Sequence, residues 1–155
     1  MYEIHLYVPK TNRLTPSMLA WLYEHGQSAD QPEVFWPVRQ INPKALARQT
    51  LRFDNTLIAE PADNGNVVLR YPHDSLDISL YCHERGLIIM FPYVGGVLAR
   101  VVLGICYVYI TFLYQANGFW SYDPQLRVLS YADDYQSIEE TARMMDELMP
   151  RLLPQ

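Results

Sequence analysis

The longest run of apolar positions in this chain lies in its second half. No charged residue occurs between Arg100 and Asp123. A helix over about 97–114 would be apolar on every side, which is typical of the central helix of a globular core. The β-branched and aromatic residues of 105–114 leave a strand as the alternative there. We therefore expect the other elements to pack around a central apolar helix.

The same segment is long enough to cross a membrane, because about 20 apolar residues span a bilayer. It contains Arg100, whose charge is costly in lipid. Three tyrosines, Tyr107, Tyr109 and Tyr114, carry hydroxyl groups that need polar partners. We expect the helix to lie inside a globular fold without a membrane, and a single span is the alternative.

Alternation of apolar and polar residues predicts most of the strands. In residues 2–8, Tyr2, Ile4 and Leu6 alternate with polar neighbours, which indicates a strand with one buried face. Residues 87–93 are apolar almost throughout, as in a strand buried on both faces near the centre of a sheet. Pro37 places the extended segment 34–41 at an edge or outside the sheet. Further strands are predicted at 67–71, 76–82, 119–122 and 126–129.

Capping residues predict three more helices. An N-terminal helix at about 16–25 begins after Thr15 and Pro16, and Gly26 is suited to end it. A short second helix, 44–51, follows Asn42 and Pro43. A C-terminal helix at about 138–149 is predicted by the capping box that Ser137 forms with Glu140. The expected fold is one α+β domain over 1–155, with an antiparallel or mixed sheet of five to seven strands.

Composition narrows the classes of partner. The net charge is −5, and the 12 basic residues are scattered, so nucleic acid is not expected as a partner. Met1 is not followed by the basic start and apolar core of a signal peptide, which favours the cytoplasm. Cys82 and Cys106 both lie in apolar sequence and are interpreted as reduced thiols of the core.

No motif predicts catalysis, a cofactor or a metal. Cys82 and His83 are neighbours on a predicted strand, so their side chains point to opposite faces and are badly placed to share a proton. The four histidines occur on separate elements without metal-ligand spacing. Adjacent carboxylates such as Glu139 and Glu140 diverge by about 100° on a helix, which favours a solvated face over an acid and base pair. We therefore expect a protein that is not an enzyme.

One short motif carries a resemblance. An apolar helix leads into Gly118, Tyr122, Asp123, Pro124 and Gln125, spaced as Gly-x-x-x-Tyr-Asp-Pro-Gln, and a short strand and an acidic helix follow. This arrangement resembles small bacterial α+β immunity-type proteins of polymorphic toxin systems. The resemblance covers about residues 95–130 and implies a protein that neutralises a cognate toxin by binding it. No binding residue is carried over from the family.

Two kinds of binding surface follow from the residues. The acidic side chains near and on the C-terminal helix predict a surface for a basic protein partner, with solubility as the alternative explanation. They are Asp134, Glu139, Glu140, Asp146 and Glu147. The competing hypothesis is a small-molecule-binding protein or enzyme with a pocket near Trp120, Tyr122 and His83. A homodimer is compatible with either hypothesis.

Overall fold

The computed structural model describes residues 1–25, 36–130 and 135–152, and these contain four α-helices and seven strands. The helices are α1 (Pro16–His25), α2 (Pro43–Phe53), α3 (Gly96–Asn117) and α4 (Tyr135–Leu152). The strands are β1 (Tyr2–Tyr7), β2 (Ile58–Pro61), β3 (Val67–Arg70), β4 (Ser79–His83), β5 (Gly86–Phe91), β6 (Trp120–Asp123) and β7 (Val128–Ser130). The expected α+β class and central apolar helix are confirmed.

The strands form one antiparallel sheet in the order β2-β3-β4-β5-β1-β6-β7. The first strand lies inside the sheet, where His5 is opposite Ile88 of β5 on one side and Tyr122 of β6 on the other. Residues 87–91 belong to the middle strand of the seven, as their apolar sequence predicts. Segment 36–41 stays outside the sheet apart from one isolated bridge between Val38 and Pro9.

Alternating side chains divide the sheet into two faces. Tyr2, Ile4 and Leu6 of β1 belong to the main core, to which α2, α3 and α4 also contribute. Tyr7 belongs to a second, smaller core with α1, Trp36 and Val38. Three helices thus cover one face of the sheet, and α1 covers part of the other.

The helix α3 is buried along one side only. Its buried residues recur at the spacing of one helical face and are Ala99, Val102, Leu103, Cys106, Tyr109, Ile110 and Leu113. Gly118 ends the helix with φ of 73°, a left-handed conformation that glycine adopts without strain. The strand alternative for 105–114 is therefore wrong, and so is the expectation that this helix is packed on most sides.

Several predicted boundaries are corrected by the structure. The strand predicted at 76–82 begins only at Ser79, because Asp77 has φ of 50° and interrupts the extended backbone. The final helix is already formed at Tyr135, so Ser137 lies inside it and is not its cap. The caps Thr15 and Asn42 are confirmed, since they accept hydrogen bonds from the backbone N–H groups of Met18 and Ala45 at 3.3 and 3.1 Å. Gly26 and the loop 27–33 lie outside the described residues.

Gly86 is required where β5 passes close to β1. A Cβ added at this position would lie 2.0 Å from the backbone carbonyl oxygen of Leu6, far inside van der Waals contact. The same residue has φ of +149°, a conformation that residues with a side chain rarely adopt. The turn between β4 and β5 therefore depends on a residue without a side chain.

We expect Gly86→Ala and Gly104→Ala to change stability in opposite directions. The first forces a methyl group into the carbonyl of Leu6 and should lower the free energy of unfolding by several kcal/mol, roughly 3 or more. The second adds a methyl group on the exposed side of α3 with nothing within 4 Å, and should raise it by about 0.5–1 kcal/mol. Urea denaturation measures both, and a Gly86→Ala protein as stable as wild type would contradict the close approach of the two strands.

Candidate functional site

The acidic residues predicted as a partner surface do not act as one group. Asp146 Oδ1 accepts a hydrogen bond of 2.6 Å from the backbone N–H of Gly96, at the start of α3. Glu139 pairs with Arg100, with 3.1 Å between Nη2 and Oε2. Glu140 and Glu147 are exposed and seven residues apart, so they share one side of α4. Asp134 lies outside the described residues.

The outer side of α3 carries an apolar surface that we call the α3 band. It consists of Val97, Leu98, Val101, Ile105, Val108 and Phe112. The exposed fraction is 80% for Val97, 48% for Val101 and 54% for Val108, which is high for side chains of this type. Phe53 of α2 extends the band by stacking on Phe112, with 4.1 Å between ring centroids. Gly104 lies among these residues and leaves room for a close approach.

The α3 band lies between α2 on one side and α4 on the other. Tyr109 donates a hydrogen bond to Asp54, beside α2, whereas Arg100 contacts α4. Nine positions separate Arg100 from Tyr109, which at about 100° per residue puts them on opposite sides of the helix. The exposed basic side chains of α2 are Lys44, Arg48 and Arg52, and Lys44 is nine residues from Phe53, so it lies on the opposite side of the helix. On α4, Glu139 and Asp146 contact α3, and the exposed Arg143 adds a positive charge.

By length and composition alone, α3 could also cross a membrane. Its most apolar window has a mean hydropathy of 2.0, and 39% of that window is buried in the fold. It is the one helix of this kind among residues 1–25, 36–130 and 135–152. Its buried side belongs to the main core with the sheet, as in the core helix of a globular protein.

A cleft of about 1080 Å³ opens on the other face of the sheet. Three turns meet there: the start of α2, the turn before β3 and the turn between β4 and β5. Its lining residues are Gln40, Ile41, Asn42, Pro43, Lys44, Asn64, Gly65, Asn66, Tyr81, His83, Glu84, Arg85 and Ile88. We call this region the β4 cleft, because Tyr81 and His83 project into its lining from β4.

His83 lines the β4 cleft, and one of its two ring nitrogens has no hydrogen-bond partner among the described residues. The residue is 7% exposed, and its Nδ1 accepts a hydrogen bond of 3.2 Å from the backbone N–H of Arg85. An accepting Nδ1 leaves the proton of the neutral ring on Nε2. Nε2 has no hydrogen-bond partner within the described part of the chain. Burial first, and then the charge of Arg85, lowers the pKa of His83 to about 3.

His5, a second buried histidine, has hydrogen-bond partners for both ring nitrogens. Its Nε2 lies 2.9 Å from Glu3 Oε2, and its Nδ1 lies 3.1 Å from the Tyr7 hydroxyl. Burial outweighs the contact with Glu3 and lowers the pKa of His5. Burial thus favours the neutral ring at both positions, but of the two histidines only His83 keeps a buried donor without an acceptor.

The structure does not bring Trp120, Tyr122 and His83 into one pocket. Tyr122 is buried with α1 in the smaller core, and Trp120 packs against it. His83 lines the β4 cleft, whose lining includes neither aromatic residue. Strands β5 and β1 lie between β4 and β6, so the separation follows from the strand order.

The thiols are buried in the main core and not prepared for nucleophilic attack. Cys82 and His83 project to opposite faces of β4, as their adjacency on a strand predicts. Burial raises the pKa of the Cys82 thiol to about 12 and raises that of Cys106 further. Among residues 1–25, 36–130 and 135–152, no group of three His, Cys, Asp or Glu side chains is placed to hold a metal ion.

The Gly-x-x-x-Tyr-Asp-Pro-Gln motif has a structural role at Asp123. This carboxylate accepts hydrogen bonds from the Tyr2 hydroxyl and from the backbone N–H groups of Gln125 and Leu126, the latter two at 2.9 and 3.0 Å. Burial raises the pKa of Asp123 despite these donors. The motif thus anchors the turn after β6 to the first strand, and its carboxylate is occupied within the chain.

Sequence reasoning missed both surfaces. The α3 band is visible in retrospect as valines at 97, 101 and 108 on one side of the helix, and the β4 cleft needs three turns that only the fold brings together. The chain matches no protein-family model, and no curated protein matches it. The geometry of the two surfaces therefore carries the functional argument.

We expect the pH dependence of stability to report the buried His83. The folded state keeps its ring neutral down to about pH 3, whereas the unfolded chain takes up the proton below the ordinary pKa of 6.5. Stability should therefore fall as pH decreases from 6.5 towards 3, by up to about 1.4 kcal/mol per pH unit for this residue. His83→Phe should flatten this slope, leaving the smaller contribution of His5, which titrates in the same direction.

Urea denaturation at several pH values between about 4 and 7 measures the effect. The matched control is His73→Phe, which changes an exposed histidine outside the core and should keep the slope of the wild type. Equal slopes for His83→Phe and wild type would show that His83 is not held neutral in the folded protein.

Proposed function

We propose that this chain is a non-enzymatic binding protein of the immunity type, which neutralises a cognate protein toxin by direct contact. The observation that carries the proposal is the α3 band, an apolar strip on the surface bordered by charged side chains. Apolar patches with polar rims are typical of surfaces that bind other proteins. The resemblance of residues 95–130 to immunity-type proteins supports the choice of partner class.

The borders of the α3 band define the chemistry of the partner. An apolar ridge on the toxin would pack along Val97, Val101 and Val108, where Gly104 permits close approach. Acidic groups of the toxin would face α2, and basic groups would face α4, since charges of opposite sign steer association and fix orientation. In this orientation the valines would lie at the centre of the interface, and the charged side chains of α2 and α4 would lie at its periphery.

The centre contributes more to affinity than the rim. Exposed ion pairs contribute little because water and salt screen them, whereas apolar groups at the middle of an interface lose their water on binding. Arg100 and Glu139 are already paired with each other, with side chains 45% and 65% exposed. Binding would keep this pair and add new contacts around it.

A membrane surface is the second candidate occupant, favoured by the length and hydropathy of α3. If the partner is a protein and the location is cytoplasmic, most of the chain should be recovered from lysed cells without detergent. Recovery of most of the protein only with detergent would favour the membrane instead. A second copy of the chain is a third candidate for the α3 band. Light scattering on the purified protein would detect the resulting dimer by its mass.

We expect Val101→Glu combined with Val108→Glu to abolish neutralisation while leaving the fold intact. Both side chains are exposed, and glutamate is accepted on a helix surface, so stability should change by about 1 kcal/mol or less. Two charges at the centre of an apolar interface should weaken binding at least about 30-fold, equivalent to about 2 kcal/mol. The measurement is growth rescue and co-purification when the chain is co-expressed with the product of the neighbouring reading frame.

The matched control adds the same two charges elsewhere. Ile58→Glu combined with Met18→Glu alters exposed apolar side chains on β2 and α1, outside the α3 band, and should rescue growth as well as wild type does. Rescue by the Val101 and Val108 variant at the wild-type level would remove the α3 band from the interface. A neighbouring product that neither inhibits growth nor co-purifies would end the immunity proposal.

A further inference from the structure

The β4 cleft combines hydrogen-bond donors on one wall. The Nε2–H group of His83 is buried and has no acceptor among the described residues. Asn66 Nδ2 donates to the Tyr81 hydroxyl at 2.6 Å, which leaves the hydroxyl proton of Tyr81 available to donate in turn. The two rings stack on each other with 5.8 Å between centroids. Two neutral donors are thus held side by side on adjacent positions of one face of β4.

The start of α2 adds positive potential at the cleft. Pro43 has no N–H, and the N–H groups of Ala45 and Leu46 donate to Asn42, so the Lys44 amide is the first-turn donor left over. The helix has no acidic residue in its first turn, and its dipole is therefore not compensated there. Lys44 is also a lining residue of the cleft, and its exposed side chain carries a positive ammonium group.

Arg85 contributes a second cation from the turn between β4 and β5. Its guanidinium carbon lies 5.8 Å from the centre of the Trp36 ring, which fixes the side chain at the edge of the cleft. Its charge is close enough to lower the pKa of both His83 and His5. Among the described residues of the lining, Glu84 is the one acidic side chain against the two cations Lys44 and Arg85, within a chain of net charge −5.

Apolar side chains form a small part of the cleft lining. Ile41 and Ile88 are half-buried residues of the lining, and Ile88 is the cross-strand partner of Tyr81. Pockets for small molecules have volumes of about 300–1,000 Å³ and combine apolar walls with a few placed polar groups. The β4 cleft, at about 1080 Å³, is slightly larger than that range. A buried donor without an acceptor destabilises the fold, and a ligand oxygen at Nε2 would supply the missing partner.

We propose that the β4 cleft binds a small organic anion whose oxygen atoms accept hydrogen bonds from the Tyr81 hydroxyl and from His83 Nε2, which is covered in the unliganded fold and becomes accessible when the lining side chains move aside. Lys44 and the start of α2 balance the charge of the anion, and Ile41 and Ile88 contact its apolar body. The shared chemistry is an oxyanion head on an apolar group, with a carboxylate and a phosphate as its two forms. This site lies on the opposite face of the sheet from the α3 band and does not depend on the proposed toxin.

The test uses three probes that have a similar aromatic body and differ in the head group: phenylacetate, phenyl phosphate and benzyl alcohol. Titration is followed by calorimetry and by the backbone amide signals in ¹H–¹⁵N spectra of the full chain. We expect saturable binding of at least one of the anions, with the largest shifts at Lys44, Asn66 and Arg85, and about tenfold weaker binding of the alcohol. The stronger of the two anions identifies the head group.

Matched variants separate the site from general charge effects. His83→Phe keeps the ring and removes the donor, and should weaken binding of the anion about tenfold, whereas His73→Phe should leave it unchanged. Lys44→Met should also weaken binding, whereas Arg48→Met, one turn further along the same helix and outside the lining, should not. The Lys44 variant changes an exposed side chain, so it remains informative if His83→Phe is unstable.

Three outcomes would overturn the proposal. One is the absence of saturable binding of both anions up to about 10 mM, because a dissociation constant above this value is too weak for a built site. Another is equal binding of benzyl alcohol and the anions. The third is anion binding that His83→Phe and Lys44→Met leave at the wild-type level, because the anion would then lie elsewhere. None of these results bears on the α3 band, so failure here is distinguishable from failure of the immunity proposal.

Discussion

The burial of one side of α3 against the sheet is the contact on which the other elements depend. Burying an aliphatic side chain of this size contributes about 1.5–3 kcal/mol, and α3 buries a continuous row of them against β1, β4 and β5. A single sheet offers one flat surface to a helix, so it covers only half of the helix circumference. An α-helix that is apolar all round therefore leaves an apolar side outside. The α3 band is a consequence of sequence composition and sheet geometry together.

Polar contacts fix which side of α3 faces outward. Tyr109 reaches Asp54 beside α2, and Arg100 reaches Glu139 of α4, from opposite sides of the helix. A rotation of α3 about its axis would break both contacts and turn Arg100 towards the sheet or away from its partner. Asp146 holds the first turn of α3 through the N–H of Gly96. Two of the acidic side chains of α4 that were predicted to bind a partner, Glu139 and Asp146, thus hold α3 in place.

Local patterns were sufficient to predict elements, because the physics that forms them is local. Thr15 and Asn42 cap helices through side-chain oxygens three residues away, and β1 shows its buried face by alternation. The start of β4 was missed because the positive φ of Asp77 depends on the turn that surrounds it. The start of α4 was predicted wrongly at Ser137, because the Ser-x-x-Glu pattern of a capping box also occurs within helices.

Long-range arrangements could not be predicted in the same way. The chain order does not reveal that β1 lies between β5 and β6, and this insertion separates His83 from Trp120 and Tyr122. The β4 cleft brings together residues from positions 40–44, 64–66 and 81–88, each of which is an ordinary turn or strand in sequence. What joins them is the pairing of β3 with β4 and of β4 with β5, which no local signal encodes.

The position of His83 on a central strand decides how its missing acceptor is to be understood. Leu80 and Cys82 of β4 lie in the main core under the helices, while Tyr81 and His83 project from the same strand into the cleft. Because the core holds the strand rigidly, the ring of His83 has little freedom to turn towards another acceptor within the chain. Its Nδ1 is already bound to the N–H of Arg85, which fixes the proton on Nε2. A donor fixed in this way is preorganised in direction for an oxygen acceptor, although the atoms that cover Nε2 must move before an acceptor reaches it.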